Sequence, residues 1–200
     1  MSKILYITSL LTIVFIAGCQ DSNTNSSIEK SDIRYEKPEA SKQVIEGYAV
    51  DYELWYNGEQ WDFYRKEVSG GDNAETKLKT ISRVLTNASN DVFVSMEETW
   101  EKMSFEESFK YYAKWIRSNK GLILDKQIRN VNGNDLLFIK SNLKVEPEPL
   151  ISVIYVLTTK SGNVSVSAAT SEHLFERYEK EMFDLLNGLV STKANSRSTD

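Results

Sequence analysis

The amino-acid sequence predicts an α+β domain, in which an antiparallel sheet of about six strands packs with two main amphipathic helices. Three observations predict it: stretches of alternating apolar and polar residues, tight-turn signals between them, and two segments whose apolar residues recur with helical spacing. The 200 residues are 40% hydrophobic and 26% charged, which is typical of a globular chain with room for one domain. We expect the folded part over residues 48–190.

The first strands are expected before residue 100. Alternation over residues 48–55 indicates a strand, and Asn57-Gly58 is a pair favoured in two-residue hairpin turns. A hairpin with a second strand over residues 60–68 is therefore predicted. Residues 77–86 fit a strand or a short helix, and the alternation over residues 91–97 indicates another strand.

Two helices are predicted from their caps and apolar spacing. Ser104 to Glu107 matches a capping box, in which the serine and the glutamate satisfy free backbone amides, so the first helix is expected over residues 105–119. The second is expected over residues 172–190. Its apolar stripe consists of Leu174, Tyr178, Met182, Leu185, Leu186 and Leu189.

Four strands are expected between the two helices. They cover residues 122–131, 135–145, 150–159 and 164–170. Asn132-Gly133 predicts a tight turn between the first two, and residues 160–163 predict another between the last two. Consecutive strands joined by tight turns form an antiparallel sheet, and each amphipathic helix must cover part of it, which gives a layered α+β domain.

The first residues have the composition of a secretory signal. A short positive start at Met1-Ser2-Lys3 precedes an apolar run over residues 4–17 and then the small residues Ala17 and Gly18. The run has about 14 residues, fewer than the ~20 that a membrane-spanning helix needs. A signal peptide over residues 1–18 is therefore expected.

The end of this segment resembles a bacterial lipobox. Ile16-Ala17-Gly18-Cys19 contains the only cysteine of the chain. The resemblance implies a lipoprotein whose Cys19 carries acyl chains such as palmitate and whose chain is cut just before it. The implied location is extracytoplasmic, on the cell membrane or the outer membrane, and Gln20 instead of Asp favours the outer membrane. The alternative is an ordinary signal peptide with a coincidental cysteine.

The segments on either side of the expected domain are polar. Residues 19–47 contain the proposed lipidated cysteine followed by a serine- and asparagine-rich stretch, which predicts a flexible linker. Residues 191–200 predict a disordered tail. The sequence thus divides into a signal peptide, a linker, one globular domain and a tail.

The order of elements resembles the Mog1/PsbP-like fold, and within it the DcrB-like lipoproteins. The resemblance lies in a strand pair with an early tryptophan, Trp61, a helix that begins Ser-Phe-Glu-Glu at Ser104 to Glu107, a glycine-containing hairpin and a closing helix. It implies an α/β/α sandwich and a non-enzymatic binding, assembly or accessory role. No set of functional residues follows from it.

Composition excludes several kinds of site. One cysteine and one histidine exclude an internal disulfide and multi-histidine or cysteine-rich metal centres, and no cofactor or metal is expected. A net charge of −5 argues against nucleic-acid binding, which needs a basic face. His173 could share a helix face with Glu176 and Glu179, but a solvated polar helix start explains the same pattern.

Catalytic residues are not predicted. No serine lies in a Gly-x-Ser-x-Gly elbow. The pairs Glu97-Glu98, Glu106-Glu107, and Glu146 with Glu148 could in principle serve a carboxylate-dependent hydrolase, the disfavoured alternative. Glu106-Glu107 already fits a helix start, and Glu146 and Glu148 flank prolines in a connection.

Aromatic residues are the candidates for partner binding. They crowd the first predicted hairpin, where Tyr56, Trp61 and Tyr64 are predicted to bind a partner, and the first helix, where Tyr111 and Trp115 are further candidates. Ordinary packing explains the same residues. The predicted function is a membrane-anchored, non-enzymatic accessory lipoprotein with a protein partner in the bacterial envelope; the alternative is an immunity lipoprotein that neutralises a periplasmic toxin or hydrolase.

Overall fold

The computed structural model describes residues 30–33, 43–69 and 81–192. These residues form eleven strands and two α-helices. The strands are β1 Lys30–Ile33, β2 Gln43–Glu46, β3 Tyr52–Tyr56, β4 Trp61–Ser69, β5 Ile81–Asn87, β6 Val92–Thr99, β7 Leu122–Val131, β8 Asn134–Leu143, β9 Leu150–Thr158, β10 Asn163–Ser171 and β11 Leu189–Ser191. The helices are α1 Phe105–Ser118 and α2 Phe175–Leu186, the latter preceded by a 3-10 turn over Glu172–Leu174.

The strands build two sheets rather than one of about six strands. The large sheet has eight strands in the order β1-β7-β8-β9-β10-β6-β5-β4, and the small sheet has the order β11-β3-β2. All neighbouring strands are antiparallel except β1, which runs parallel to β7. The predicted α+β class with an antiparallel sheet and two packed helices is confirmed.

The large sheet is covered differently on its two faces. On β9, Val153, Tyr155 and Leu157 point to one core, and Ile154 and Val156 point to the other. We call the first face inner, because α2 and the small sheet pack there, and the second face outer, because α1 packs there. A strand that is buried on both faces needs a nearly continuous apolar run, which β9 has.

Helix α1 covers only part of the outer face. It packs on β7, β8 and β9, at one side of the sheet. Of the other strands of the large sheet, β10, β6, β5 and β4 lie beside the helix rather than under it. An open strip of the outer face therefore borders one side of α1.

The start of α1 follows the predicted capping box. The backbone N–H of Glu107 donates to Ser104 Oγ at 3.2 Å, and the backbone N–H of Ser104 donates to Glu107 Oε2 at 2.8 Å. The hairpin between β7 and β8 also follows the sequence prediction. Asn132 and Gly133 have φ of 51° and 79°, the positive values that a tight turn of this kind requires.

The predicted hairpin at Asn57-Gly58 is wrong. β3 and β4 belong to different sheets, because β3 pairs with β2 and β11, while β4 pairs with β5. The Asn57 carbonyl accepts the backbone N–H groups of Gln60 and Trp61, both at 3.0 Å. This turn passes the chain from the small sheet to the edge of the large one, which the local sequence does not distinguish from a hairpin.

The last helix is shorter than predicted. α2 ends at Leu186, and Leu189–Ser191 forms β11, antiparallel to β3. A Cβ at Gly188 would lie 2.1 Å from the Trp55 carbonyl oxygen, so only glycine permits this close approach. Leu189 is buried as the apolar stripe predicted, but on a strand.

The folded part begins earlier than residue 48. β1 and β2 lie within the segment of residues 19–47 that was expected to be a linker, and Ile45 is buried in the inner core. The predicted signal peptide, Cys19 and nearly all of the predicted tail lie outside the described residues. Neither helix in the described part of the chain combines the length and hydropathy that a membrane crossing requires.

Candidate functional site

An open cleft follows the side of α1 that faces strands β10 and β6. Strand β6 forms one wall of the cleft. Because Val92, Val94 and Met96 are fully buried on the inner face, the alternate residues of this strand point outward. Those outward residues are Phe93, Ser95 and Glu97.

The floor of the cleft consists of small side chains. On β10, Ser165, Ser167 and Ala169 point outward, opposite Glu97, Ser95 and Phe93 of β6, respectively. Because these side chains are short, they do not fill the space between the helix and the outward side chains of β6.

Aromatic residues of α1 form the opposite wall. Tyr111 and Trp115 remain 45% and 43% exposed, and the rings of Tyr111 and Tyr112 meet edge-to-face with centroids 5.1 Å apart. Across the floor, Phe93 is 57% exposed. We call the space between these walls the helix cleft. Its wide end, between Phe93, Trp115 and Val145, has a volume of about 380 Å³.

The narrow end of the helix cleft is acidic. Glu97 lies beside Tyr111, Tyr112 and Ser165, and burial raises the pKa of its carboxyl above the ordinary value. Burial likewise raises the pKa of Tyr111, and the charge of Glu97 adds to that shift. Glu97 and Glu98 are the charged residues in the described lining of the cleft, and that described lining contains no lysine, arginine or histidine.

Glu98 is only 1% exposed, and its carboxylate belongs to the inner core. It accepts the backbone N–H groups of Tyr48 and Ala49 at 3.0 and 2.8 Å and the Tyr52 hydroxyl at 2.9 Å. Arg83 Nη2 lies 3.4 Å from it. Burial and the charge of Glu98 raise the pKa of Tyr52, so the hydroxyl remains a donor. This carboxylate joins the loop before β3 to the large sheet.

Two of the three aromatic residues predicted to bind a partner, Tyr56 and Trp61, are buried. Tyr56 and Trp61 are 7% and 3% exposed, because β3 is the central strand of the small sheet and Trp61 points into the inner core. Partner binding by these two side chains stays a prediction, and their burial does not favour it. The side chain of Tyr64 lies outside the described residues. Of the helix aromatics, Tyr111 and Trp115 are exposed.

The candidate acid–base residues do not come together at one place. His173 Nδ1 lies 3.2 Å from Glu148 Oε2 on the surface, and Glu179 lies 3.5 Å from Lys140. Glu106 pairs with Lys110 at 2.7 Å, and the hydrogen bond to Lys110 lowers its pKa. Within the described residues, no group of three or more histidine, cysteine, aspartate and glutamate side chains could hold a metal ion.

Sequence analysis missed Phe93 as a site residue and considered Glu97 only as one member of a carboxylate pair. The sequence did contain a signal for Phe93. It is a large apolar residue on the polar side of an alternating strand, where no predicted core would bury it. What the sequence could not provide was the position of α1, which leaves the outward side of β6 open.

Comparison with known proteins identifies the fold. No protein-family model and no curated protein matches the chain. The structure is similar to the solution structure of cyanobacterial PsbP (CyanoP) from Synechocystis sp. PCC 6803, with 12% identity, 76% of this chain and 93% of that chain covered, and a TM-score of 0.56. The PsbP-like fold expected from the sequence is thereby confirmed.

Two weaker similarities accompany it. A protein from Bacteroides thetaiotaomicron is 11% identical over 72% of this chain and 46% of its own, with a TM-score of 0.45. A protein of unknown function from Pseudomonas aeruginosa, PA94, is 10% identical over 76% of this chain and 98% of its own, with a TM-score of 0.44.

Proposed function

We propose that this chain is a lipid-anchored, extracytoplasmic accessory protein of the bacterial envelope that performs no catalysis and binds a protein partner through the helix cleft. The observation that carries the proposal is the exposure of Phe93, Tyr111 and Trp115 around one cleft. Exposed aromatic residues that cluster on one surface are typical anchors of protein interfaces, where large rings contribute much of the binding energy.

The location of the cleft supports a binding role. Its walls stand on β6 and α1, which are held by buried residues such as Met96 and Ile116, so the aromatic side chains project from rigid elements. A rigid surface loses little entropy when a partner binds. The outward serines of β10 add hydroxyl groups, which can hydrogen-bond to water in the free protein and to a partner in a complex.

A non-catalytic role is supported by what the candidate acid–base groups do in the fold. Glu107 caps α1, Glu98 holds the loop before β3, and His173 faces Glu148 on the surface. Each of these groups has a structural partner that accounts for its position.

The lipid anchor rests on the resemblance of residues 16–19 to a lipobox. Each buried CH₂ group of an acyl chain contributes about 0.8 kcal/mol, so one chain binds marginally and two or three hold a protein on the bilayer. The experiment that tests the anchor is fractionation of cells that express the full chain or Cys19→Ala. We expect the full chain in the membrane fraction with a lipid-modified Cys19 by mass spectrometry. An unmodified sulfur would contradict the anchor.

The test of the cleft uses a photo-crosslinking residue in the full chain in living cells. Benzoylphenylalanine replaces Phe93 in one variant and Leu124 in another, since Leu124 is 52% exposed but lies on β7, away from the cleft. We expect a specific adduct with an envelope protein from position 93 and none from position 124. Equal adduct patterns from both positions would show that the cleft is not the binding surface.

A further inference from the structure

The carboxylate of Glu97, which has no partner among the described residues, limits what can occupy the helix cleft. Glu97 is half-buried between β10 and α1, and no hydrogen bond or ion pair joins it to any described residue. Transfer of a carboxylate out of water is costly unless a cation or hydrogen-bond donors compensate it. The raised pKa of Glu97 reports the same cost, because desolvation is its cause.

The charge of the cleft favours a cationic occupant. The neighbouring Glu98 points its carboxylate to the inner face, where backbone N–H groups hydrogen-bond it. The described lining of the cleft contains no basic side chain. The carboxylate of Glu97 would repel a phosphate or an acidic side chain here. Electrostatic complementarity between a negative site and a basic group increases both specificity and the rate of encounter.

The aromatic wall adds a second preference. Tyr111 and Tyr112 line the same narrow end as Glu97, and Trp115 stands next to them on α1. The faces of tyrosine and tryptophan rings attract cations, and an arginine guanidinium both stacks on such rings and pairs with a carboxylate. A lysine ammonium group carries the same charge but has no planar group that could stack on the rings.

The wide end of the cleft accepts an apolar group. Phe93, Trp115 and Val145 are exposed there, and Leu143, Leu150 and Ala169 also line it. A volume of about 380 Å³ holds at least one large side chain. The two ends share Ser95, Trp115 and Ser167, so they form one continuous surface.

We propose that the helix cleft binds a basic–apolar segment of the partner polypeptide, with a lysine or arginine side chain on Glu97 and a neighbouring apolar side chain between Phe93 and Trp115. This inference rests on the proposed function of the cleft as the partner-binding surface. A second copy of this chain is the competing occupant, and it is an outcome of the test.

The test combines the photo-crosslinker at position 93 with charge changes at Glu97 in the full chain. We expect Glu97→Lys to reduce the adduct at least tenfold and Glu97→Gln to reduce it severalfold. The matched control is Glu59→Lys, an equal charge change at an exposed glutamate in the turn between β3 and β4, and it should leave the adduct unchanged. Thermal unfolding of each variant verifies that the domain is folded.

Mass spectrometry of the adduct identifies what lies in the cleft. We expect the crosslinked residue to be within about four residues of a lysine or arginine of the partner. An adduct that persists in Glu97→Lys, or that links to a segment without a basic residue, overturns the inference but leaves the proposed function standing. An adduct between two copies of this chain also overturns it. Absence of any adduct from position 93 overturns the proposed function itself, and the inference with it.

Discussion

Glu97 and Glu98 are neighbours on β6, yet they face opposite sides of the large sheet and occupy opposite environments. Glu98 points inward, is 1% exposed and accepts hydrogen bonds from backbone amides and a tyrosine hydroxyl. Glu97 points into the helix cleft and accepts no hydrogen bond from any described residue. A strand that alternates faces thus places one carboxylate where it holds the fold together and the other on the surface proposed to bind a partner.

The same contrast separates the two faces as a whole. On the inner face, α2 and the small sheet cover β10 and β6 with residues such as Leu54, Met182 and Leu186, all nearly inaccessible. On the outer face, α1 packs on β7, β8 and β9, and Phe93 of β6 is 57% exposed. We expect inner residues to determine stability and the outer residues of the cleft to determine recognition, and the variants of Glu98, Leu54, Phe93 and Glu97 below test that contrast.

The largest effect is expected for Glu98→Gln. An amide retains one acceptor and places its NH₂ group against backbone N–H donors, so buried donors lose their partner. Breaking a buried, hydrogen-bonded charge costs about 3–5 kcal/mol. Urea unfolding measures the loss. The control Glu59→Gln, in an exposed turn, should retain the wild-type midpoint, and a Glu98→Gln midpoint equal to that of the control would refute the structural role of Glu98.

The next largest effect is expected for Leu54→Ala on β3. Leu54 is fully buried between the small sheet and the large one, and a Leu-to-Ala change in such a core costs about 2–5 kcal/mol. The matched outer-face variant is Phe93→Ala, which should change the free energy of unfolding by no more than about 0.5 kcal/mol. Comparable losses for the two variants in urea unfolding would remove the distinction between the faces.

A smaller effect is expected for Ser104→Ala at the start of α1. The substitution removes the side-chain acceptor of the Glu107 amide, which costs about 1 kcal/mol. Thermal unfolding detects a loss of this size. Ser118→Ala, at the other end of the same helix, serves as the control. A fall in stability for Ser118→Ala as large as that for Ser104→Ala would argue against the capping box.

The smallest effect, and the only increase in stability, is expected for Glu97→Gln. Because burial raises the folded-state pKa of Glu97 above its ordinary value of 4.5, the charged form destabilises the fold. Below pH 4.5 the group is protonated in both states and the two proteins should be equally stable. As the pH rises through the folded-state pKa, the wild type loses stability relative to Glu97→Gln, by about 0.5 kcal/mol or less. A destabilised variant at pH 7 would show that Glu97 has a structural partner.

Much of the fold could be predicted from local patterns. The capping box located α1, the Asn132-Gly133 pair located a hairpin, and the apolar run of β9 indicated a strand. Each of these signals arises from residues that are close in sequence. The PsbP-like order of elements was also predictable for that reason.

The pairing of distant segments could not be predicted in the same way. Asn57-Gly58 has the composition of a hairpin turn, but the partners of β3 are β2 and β11, which come from other parts of the chain. The end of α2 was missed because Leu189 satisfies both a helical stripe and a buried strand position. Gly188, which approaches the Trp55 carbonyl, was the available signal.

The candidate site shows the same limit. Aromatic residues could be singled out from the sequence, but which of them are exposed depends on layer packing. Trp61 is covered by the inner core, while Trp115 stands at the open side of α1. The residues around each tryptophan do not show whether its side chain is buried or exposed. That distinction required the tertiary structure.

The most direct test measures partner capture and stability together on the two neighbouring glutamates. Adduct yield from the photo-crosslinker at position 93 and the urea midpoint are determined for Glu97→Gln and Glu98→Gln in the same full chain. We predict that Glu97→Gln loses most of the adduct with its midpoint retained or raised, whereas Glu98→Gln lowers the midpoint sharply. A Glu97→Gln variant that unfolds more easily and captures its partner as well as wild type would contradict the account.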